Sequence, residues 1–330
     1  MLYELASRLS EPPELIVLFD GCRDYERILP AFGRHMFLNQ PRTPLGLAHA
    51  ARELTRSLRN RTRVFSLMRG SHVAMGLMPS KVLNELSIAG SFHQLPSTDS
   101  SGWRSAIEDV AVRRFCRHAD LITAPSARAV DEIASLGWAR GTRLEYVPNP
   151  IPARTARPIA HIARKPDPVR LLFVGRVEEQ KGLGTLSTWL RNIDRDVVVR
   201  FVGEGASREQ VRESLDQLPR IRQEWVGRTD EVWPHYDWSD IVILPSRWEL
   251  NPVVVWEAWA SGRPVISSTL PVFNDLQETG PIYPCPSDAS IRELLEIVTS
   301  TEQMRRDFDR ASVAVSQRRE GDDLVQFLNA

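Results

Sequence analysis

Short apolar runs alternate with stretches of helical spacing along almost the whole chain. Leu15–Phe19, Arg63–Met68, Leu86–Ala89, Ala119–Ala124, Arg143–Val147, Val169–Val174, Val197–Val202, Glu224–Gly227, Ile241–Leu244 and Pro264–Ser267 read as buried strands. Between them, helical periodicity appears in Leu2, Leu5, Ala6 and Leu9, and in Leu47, Ala51, Leu54 and Leu58. It returns over 107–115 and up to Leu136, then in Leu183, Leu186, Trp189, Leu190 and Ile193, in Val211, Leu215 and Leu218, and in Ile291, Leu294, Leu295 and Val298. Two more helices are expected before Ala330. Strands that alternate with helices predict an α/β chain with parallel sheets.

Residues 151–168 break this rhythm with four prolines and no clear period, so they read as a linker. The expected division is an N-terminal Rossmann-like domain over 1–152, a linker over 153–168, a second Rossmann-like domain over 169–312, and C-terminal helices over 313–330. Two helix starts carry capping signals. Ser207 and Gln210 have the spacing of a capping box, and Asn251 stands as an N-cap before Pro252, with Gly262 past the helix end. Val253–Val255 could also begin a strand, because β-branched residues favour one; the cap, the proline and the glycine favour helix over 252–260.

Composition adds mainly exclusions. The 330 residues are 42% hydrophobic and 25% charged, a globular balance, and 42 basic residues offset 42 acidic ones. Zero net charge supplies no global field for nucleic acid. Cys22, Cys116 and Cys285 show no C-x-x-C spacing and cannot all pair within one chain, so a reducing cytoplasm is the expected compartment. No apolar run approaches the roughly 20 residues that span a bilayer, and the first residues lack the pattern of a signal peptide. Arg52, Arg56 and Arg59, with Arg63 one turn on, form a basic row on a helix: a solvated face, or a contact with an anionic acceptor or the inner face of a membrane.

The candidate chemistry lies in loops after strands. Glu249 sits in the loop before the 252–260 helix and Glu257 lies inside it, roughly 9–12 Å further on by helical rise. Glu257 is the one charge between Glu249 and Arg263, so it needs a partner: a nearby Arg in a structural ion pair, or a ligand. Gly175 and Arg176 follow the 169–174 strand, and Lys181-Gly182 lies five residues on. Cations at the C-terminal end of a parallel strand can neutralise a diphosphate, or simply be solvated in a turn. Gly203-x-Gly205 is followed by Arg208 where a dinucleotide fingerprint needs Gly, which argues against a nicotinamide enzyme. Asp194-Arg195-Asp196 and Asp307-Phe308-Asp309 match Asp-x-Asp, yet their places in the pattern make them surface carboxylates. There is no nucleophile elbow, no P-loop and no His/Cys ligand set.

Pro245-Ser246, the E-x7-E pair Glu249/Glu257, Glu257-Ala258-Trp259-Ala260-x-Gly262 and Pro264-Val265-Ile266 together resemble the retaining nucleotide-sugar glycosyltransferases of family 4, the group 1 glycosyl transferases. The strand, helix, strand, Asn149-Pro150 order before the linker is also similar. The resemblance covers nearly all of 103–300 and only weakly 1–100, where the usual first strand and Gly-rich loop are not found or the chain begins late. It implies two Rossmann-like domains facing across a cleft (GT-B), C-terminal helices that can return toward the first domain, and transfer of a sugar, hexosyl transfer of the EC 2.4 class, from a nucleotide diphosphate donor with retention. No metal or other cofactor is expected.

By resemblance, Glu257 binds the ribose hydroxyls, Glu249 contacts the donor sugar, and the backbone at Gly227 meets the base. Arg176 and Lys181 neutralise the leaving diphosphate, and Gly175, Asn251 and Val253 join the substrate-binding set. His93, just past a strand, lines the sugar site. Where the family has Phe-Gly or a similar pair, this chain has Leu250-Asn251-Pro252, and Pro252 lacks one backbone donor. The acceptor would be a saccharide, a lipid-linked acceptor or a small molecule. Alternatives are a non-catalytic nucleotide-sugar-binding subunit, and an epimerase or phosphorylase on the same fold.

Overall fold

A computed structural model of the chain describes residues 2–19, 28–58, 63–96, 103–149, 167–191, 193–287, 290–318 and 322–329. The chain divides into two compact units, Met1–Pro150 with Arg319–Ala330, and Ile151–Arg318. Residues 153–166 of the expected linker lie outside the described residues.

The first unit contains α1 (Leu2–Ser7), β1 (Glu14–Phe19), β2 (Arg34–Gln40), α2 (Pro44–Ser57), β3 (Arg63–Leu67), α3 (Arg69–Gly76), α4 (Ser80–Leu83), β4 (Ser87–Ser91), α5 (Trp103–His118), β5 (Leu121–Ala124), α6 (Ala127–Ser135) and β6 (Arg143–Tyr146). β3, β4, β5 and β6 form a parallel sheet in sequence order, and β1 and β2 form a separate parallel pair. Ile88, Leu121 and Ile122 are fully buried at the centre of the four-stranded sheet.

The expected helix near residue 50 begins at Pro44, where Thr43 accepts a hydrogen bond from the Gly46 N–H at 3.2 Å. It ends before residue 59, so the basic row on it reduces to Arg52 and Arg56. Arg63 belongs instead to β3, and Arg59 lies outside the described residues. Arg56 pairs with Glu53 at 2.5 Å.

The second unit contains β7 (Val169–Val174), α7 (Leu183–Leu190), β8 (Val197–Val202), α8 (Arg208–Asp216), β9 (Ile221–Gly227), α9 (Trp233–Trp238), β10 (Ile241–Leu244), α10 (Val253–Ala260), β11 (Val265–Ser267), α11 (Pro271–Leu276), β12 (Ile282–Pro284), α12 (Ser290–Val298) and α13 (Thr301–Ser316). Its six strands are all parallel, in the order β12-β11-β10-β7-β8-β9.

Successive strand residues point to opposite faces, and both faces are covered. Leu171, Phe173, Val199 and Phe201 meet Leu186 and Trp189 of α7 and Ile291 and Leu295 of α12 on one side. Leu172, Val174, Val242 and Leu244 meet Val255 and Trp259 of α10 and Ala311 of α13 on the other. This two-sided burial is why the strands read as unbroken apolar runs.

The C-terminal segment departs from the expected boundary at residue 312, because α13 runs uninterrupted through it. The last helix, α14 (Asp322–Asn329), packs in the first unit. There Asn329 Oδ1 accepts from the Ser10 backbone N–H at 2.8 Å, and Leu324 is buried with Ala89 and Leu121.

Two capping expectations are corrected. α10 starts after Pro252, which occupies the cap position without a side-chain hydrogen bond, so Asn251 is not the N-cap. Ser207 makes no side-chain cap either. Its backbone (φ −86°, ψ 2°) lies outside the extended region that aims a serine oxygen at the helix N–H groups.

Candidate functional site

The sheet order of the second unit reverses between β7 and β10, where the chain leaves one half of the sheet to build the other. In open α/β sheets a crevice opens at the carboxyl ends of the strands at such a switch point. Most of the residues singled out in the sequence come together here. The loop after β7 carries Gly175, Arg176 and Lys181, and the loop after β10 carries Ser246 to Val253.

The two loops are held against each other by backbone contacts. Arg247 N–H donates to the Gln180 carbonyl at 2.9 Å, and Gln180 Nε2 donates to the Trp248 carbonyl at 3.3 Å. Gly182 makes this approach possible. It has φ +63°, and a Cβ built on it would lie 1.9 Å from the Pro245 carbonyl oxygen. Gly203 plays the same part on the other flank, where a Cβ would lie 1.9 Å from the Gly175 oxygen.

This closeness places Lys181 Nζ 2.5 Å from Glu249 Oε1. The same oxygen accepts from Ser246 Oγ at 2.9 Å, and Ser246 is buried. Both members of the ion pair are largely shielded, with side-chain exposures of 16% and 9%. Lys181 has three N–H donors, so its bond to Glu249 does not exhaust it. Arg176 is more open and donates to Glu178 Oε2 and Gln180 Oε1, each at 2.8 Å. Neither cation therefore waits unpaired in a turn; each is held by acceptors of its own surroundings.

At the start of α10 the Val253 and Val254 N–H groups have no intrahelical acceptor by helix geometry. Nδ2 of neighbouring Asn251 is buried without a hydrogen-bond partner. Further along the helix, Val255, Trp256, Ala258, Trp259 and Ala260 are buried around Glu257. The partner found for Glu257 is a phenol: Tyr236 Oη donates to Glu257 Oε2 at 2.7 Å. Burial pushes the Glu257 carboxyl above its usual range, and the Tyr236 bond pulls it partly back. Arg263, at the end of the same helix, donates to the backbone oxygens of Tyr236 at 2.9 Å and Asp237 at 2.7 Å.

Gly227 ends β9 with φ +79°, and its carbonyl accepts from the Gly203 N–H at 2.8 Å. His93 belongs to the other unit. It lies two residues beyond β4, with Nε2 3.1 Å from Ser91 Oγ, and burial lowers it to about 4. Behind it, fully buried His72 bridges Ser66 Oγ at 2.8 Å and the Ser91 carbonyl at 3.0 Å. The carbonyl can only accept, so Nε2 carries the proton and Nδ1 accepts from Ser66.

Sequence reasoning missed Tyr236, Ser246 as the brace of Glu249, and His72. Tyr236 lies in a six-residue helix 21 positions before its carboxylate partner, and nothing in the local pattern marks it.

The Asp-x-Asp pairs lie elsewhere. Asp194 pairs with Arg292 and Asp196 with Arg220. Asp307 is not a surface carboxylate: it is buried and accepts from Tyr283 Oη at 2.6 Å and Gln303 Nε2 at 2.8 Å. Among the described residues no group of three or more His, Cys, Asp or Glu side chains could hold a metal ion. No helix there is long and apolar enough to cross a membrane.

The fold has known counterparts. Residues 168–300 match the family model described as Glycosyl transferases group 1. A glycogen synthase of Mycobacterium tuberculosis is 25% identical over 261 residues, 70% of this chain and 62% of the relative. A D-inositol 3-phosphate glycosyltransferase 1 of Catenulispora acidiphila is 30% identical over 175 residues, 46% of this chain and 41% of the relative. This chain thus spans less than two thirds of the length of the curated relatives it matches.

Among solved structures, Anabaena Alr3699/HepE in complex with UDP and glucose superposes with a TM-score of 0.75 at 17% identity, covering 99% of this chain and 93% of that one. Sucrose-phosphate synthase from Thermosynechococcus elongatus gives 0.71 at 15% identity, covering 98% and 90%. The fold is similar to that of GT-B glycosyltransferases, and residues 168–300 match the group 1 glycosyl transferase model.

Proposed function

We propose that the chain is a retaining glycosyltransferase that moves a hexosyl group from a nucleoside diphosphate sugar without a metal ion. The observation that carries this reading is the Lys181–Glu249 pair beside the start of α10, at the point where the parallel sheet reverses.

In this reading the diphosphate lies against the Val253 and Val254 N–H groups, where the helix dipole favours negative charge. Lys181 and Arg176 supply cationic donors. Glu257 accepts from the ribose hydroxyls and Glu249 from a hydroxyl of the sugar, while the backbone at Gly175 and Gly227 lines the phosphate and base ends. When the bond between the anomeric carbon and the phosphate oxygen breaks, its electron pair stays on the diphosphate, and the acceptor hydroxyl bonds to carbon as its proton passes to the departing diphosphate oxygen. Charge therefore grows where Lys181 and the helix start are fixed in advance, which lowers the barrier. UDP in the related solved structures makes uridine diphosphate the first probe.

The test begins with thermal shift against nucleoside diphosphates and their sugars, since a ligand that binds the native state raises its stability. Turnover of the responding donor is then measured for wild type and Lys181→Ala, with and without EDTA. The expected result is EDTA-insensitive turnover that falls roughly a hundredfold in the variant. Full inhibition by EDTA would overturn metal independence. Donor uptake without turnover would favour a non-catalytic binding subunit.

A further inference from the structure

The pairing of Glu257 with Tyr236 assigns a role to a residue outside the two site loops. We propose that Tyr236 is a positioning residue, whose phenol fixes one oxygen of Glu257 in an apolar helix and leaves the other for the vicinal hydroxyls of a bound nucleoside. The identity of the ligand rests on the reading above; the coupling between the two side chains does not.

The geometry is specific. Tyr236 is fully buried, and its ring is held by Trp233 at 5.8 Å on the same short helix. Arg263 anchors the backbone behind it, through the Tyr236 carbonyl at 2.9 Å. The phenol therefore reaches Glu257 Oε2 from a braced position, 2.7 Å away. No other hydrogen bond from the described residues reaches this carboxylate, and Oε1 is not among the buried polar atoms lacking a partner. Among the described residues no bond is made to Oε1, the oxygen given to the ligand in this proposal.

A carboxylate among Val255, Trp256, Ala258 and Trp259 could otherwise take several rotamers or become neutral. Either outcome would spoil it as an acceptor for two hydroxyls. The Tyr236 bond opposes both, because it orients the group and favours its charged form.

The charged and titratable groups around α10 are few. Tyr236 faces it from α9, and its own proton is held by burial and by Glu257, so it stays a donor throughout the neutral range. His235 is turned toward Arg200. Arg263 follows the helix, and the Arg318 guanidinium lies 4.3 Å from the Trp256 ring centroid. Lys181 and Glu249 lie near the helix start and neutralise each other.

Tyr236→Phe keeps the ring and deletes the donor. Carbon-13 NMR of the Glu257 side-chain carboxyl, assigned by its loss in Glu257→Gln, follows its titration in wild type and Tyr236→Phe. Calorimetry with uridine diphosphate across pH runs in parallel. With the donor gone, the charged form loses the hydrogen bond that favours it, so Glu257 should titrate at higher pH in Tyr236→Phe. The acidic limb of nucleotide binding should move the same way, with affinity at neutral pH falling roughly tenfold. If Tyr236→Phe proves too unstable, the coupling is read from the other side: in Glu257→Gln, the Tyr236 phenol should titrate at lower pH than in wild type.

Unchanged Glu257 titration in Tyr236→Phe would overturn the proposal. So would weaker binding with an unmoved acidic limb, which marks a merely structural tyrosine. A shifted Glu257 in a protein that binds no nucleoside diphosphate would leave the positioning intact and reject the nucleotide reading instead.

Discussion

Gly182→Ala is the substitution that best tests whether the crossing of the two loops builds the site. The residue holds φ +63°, a conformation that costs an L-residue about 1–2 kcal/mol. Its new methyl would also lie 1.9 Å from the Pro245 carbonyl oxygen, against an optimal separation of about 3.5 Å. The neighbour is backbone at the end of β10 and cannot rotate away as a side chain could. The loops must therefore part by roughly 1.6 Å, and overpacking of this kind adds about 1–3 kcal/mol.

The sum is a loss of about 2–5 kcal/mol, felt in the second unit. Hydrogen exchange of the β7 and β10 amides would report it locally. A displacement of that size also separates Lys181 from Glu249, and misplacements near 1 Å can cost about a hundredfold in rate. Gly184→Ala, two residues on and inside α7, is the control, because a Cβ there meets nothing within 4 Å. That change should stabilise the chain by up to about 1 kcal/mol through helix propensity alone. If Gly182→Ala matched wild type in exchange, or matched Gly184→Ala in turnover, the close approach would not be what positions Lys181.

Two further outcomes follow from the same contacts. In a double-mutant cycle, Lys181→Met and Glu249→Gln should each destabilise the second unit by about 2–4 kcal/mol, since each leaves a shielded charge behind, and the double variant should lose less than their sum; strict additivity in urea melts would mean the pair does not form in solution. His72, lowered from 6.5 to about 3 mainly by its burial, is neutral when folded but takes up a proton near 6.5 when unfolded, so stability falls as pH drops below 6.5, by about 2 kcal/mol at pH 5. Exchange of the β4 amides, corrected for the intrinsic pH dependence, measures this loss, and an identical slope in His72→Phe would exclude His72 as its source.

The strands buried on both faces were legible in the sequence, because their apolar character does not depend on knowing which side faces the core. Val169–Val174 and Val197–Val202 match the expected bounds to the residue. β2 was not legible: RHMFLNQ is largely exposed and carries neither an alternating nor a continuous apolar signal. The six-residue helices α9 and α11 and the three-residue strand β12 are too short for periodicity to register. The Asn251 cap failed for a local reason, because the helix begins one residue later than its sequence signals suggest.

In the site, Glu257 stands out as a lone charge among apolar neighbours, while Lys181 and Glu249 stand out by their places in loops after strands and by resemblance to the family pattern. Their pairings do not. The bonds from Lys181 to Glu249 and from Tyr236 to Glu257 span 68 and 21 residues and exist only once the sheet is assembled.

The ion pair also changes what Lys181 can contribute. Two cations in a loop suggest a site that attracts an anion by its bare charge, yet Glu249 already satisfies Lys181 at 2.5 Å. In the proposed reading, a bound diphosphate shares that ammonium with the carboxylate or displaces it. The gain in ground-state affinity is then only the difference between two favourable contacts, and it should be small. As the glycosidic bond breaks, further negative charge collects on the diphosphate while Glu249 stays as it was, so the balance of the shared ammonium tips toward the leaving group. An interaction that strengthens only as the reaction proceeds lowers the barrier without trapping the donor. Lys181→Ala should therefore reduce kcat far more than it weakens donor binding, whereas an unpaired lysine would show comparable losses in both. Equal losses in kcat and in donor affinity, measured on a variant that keeps its fold, would show that Glu249 releases Lys181 before the donor arrives.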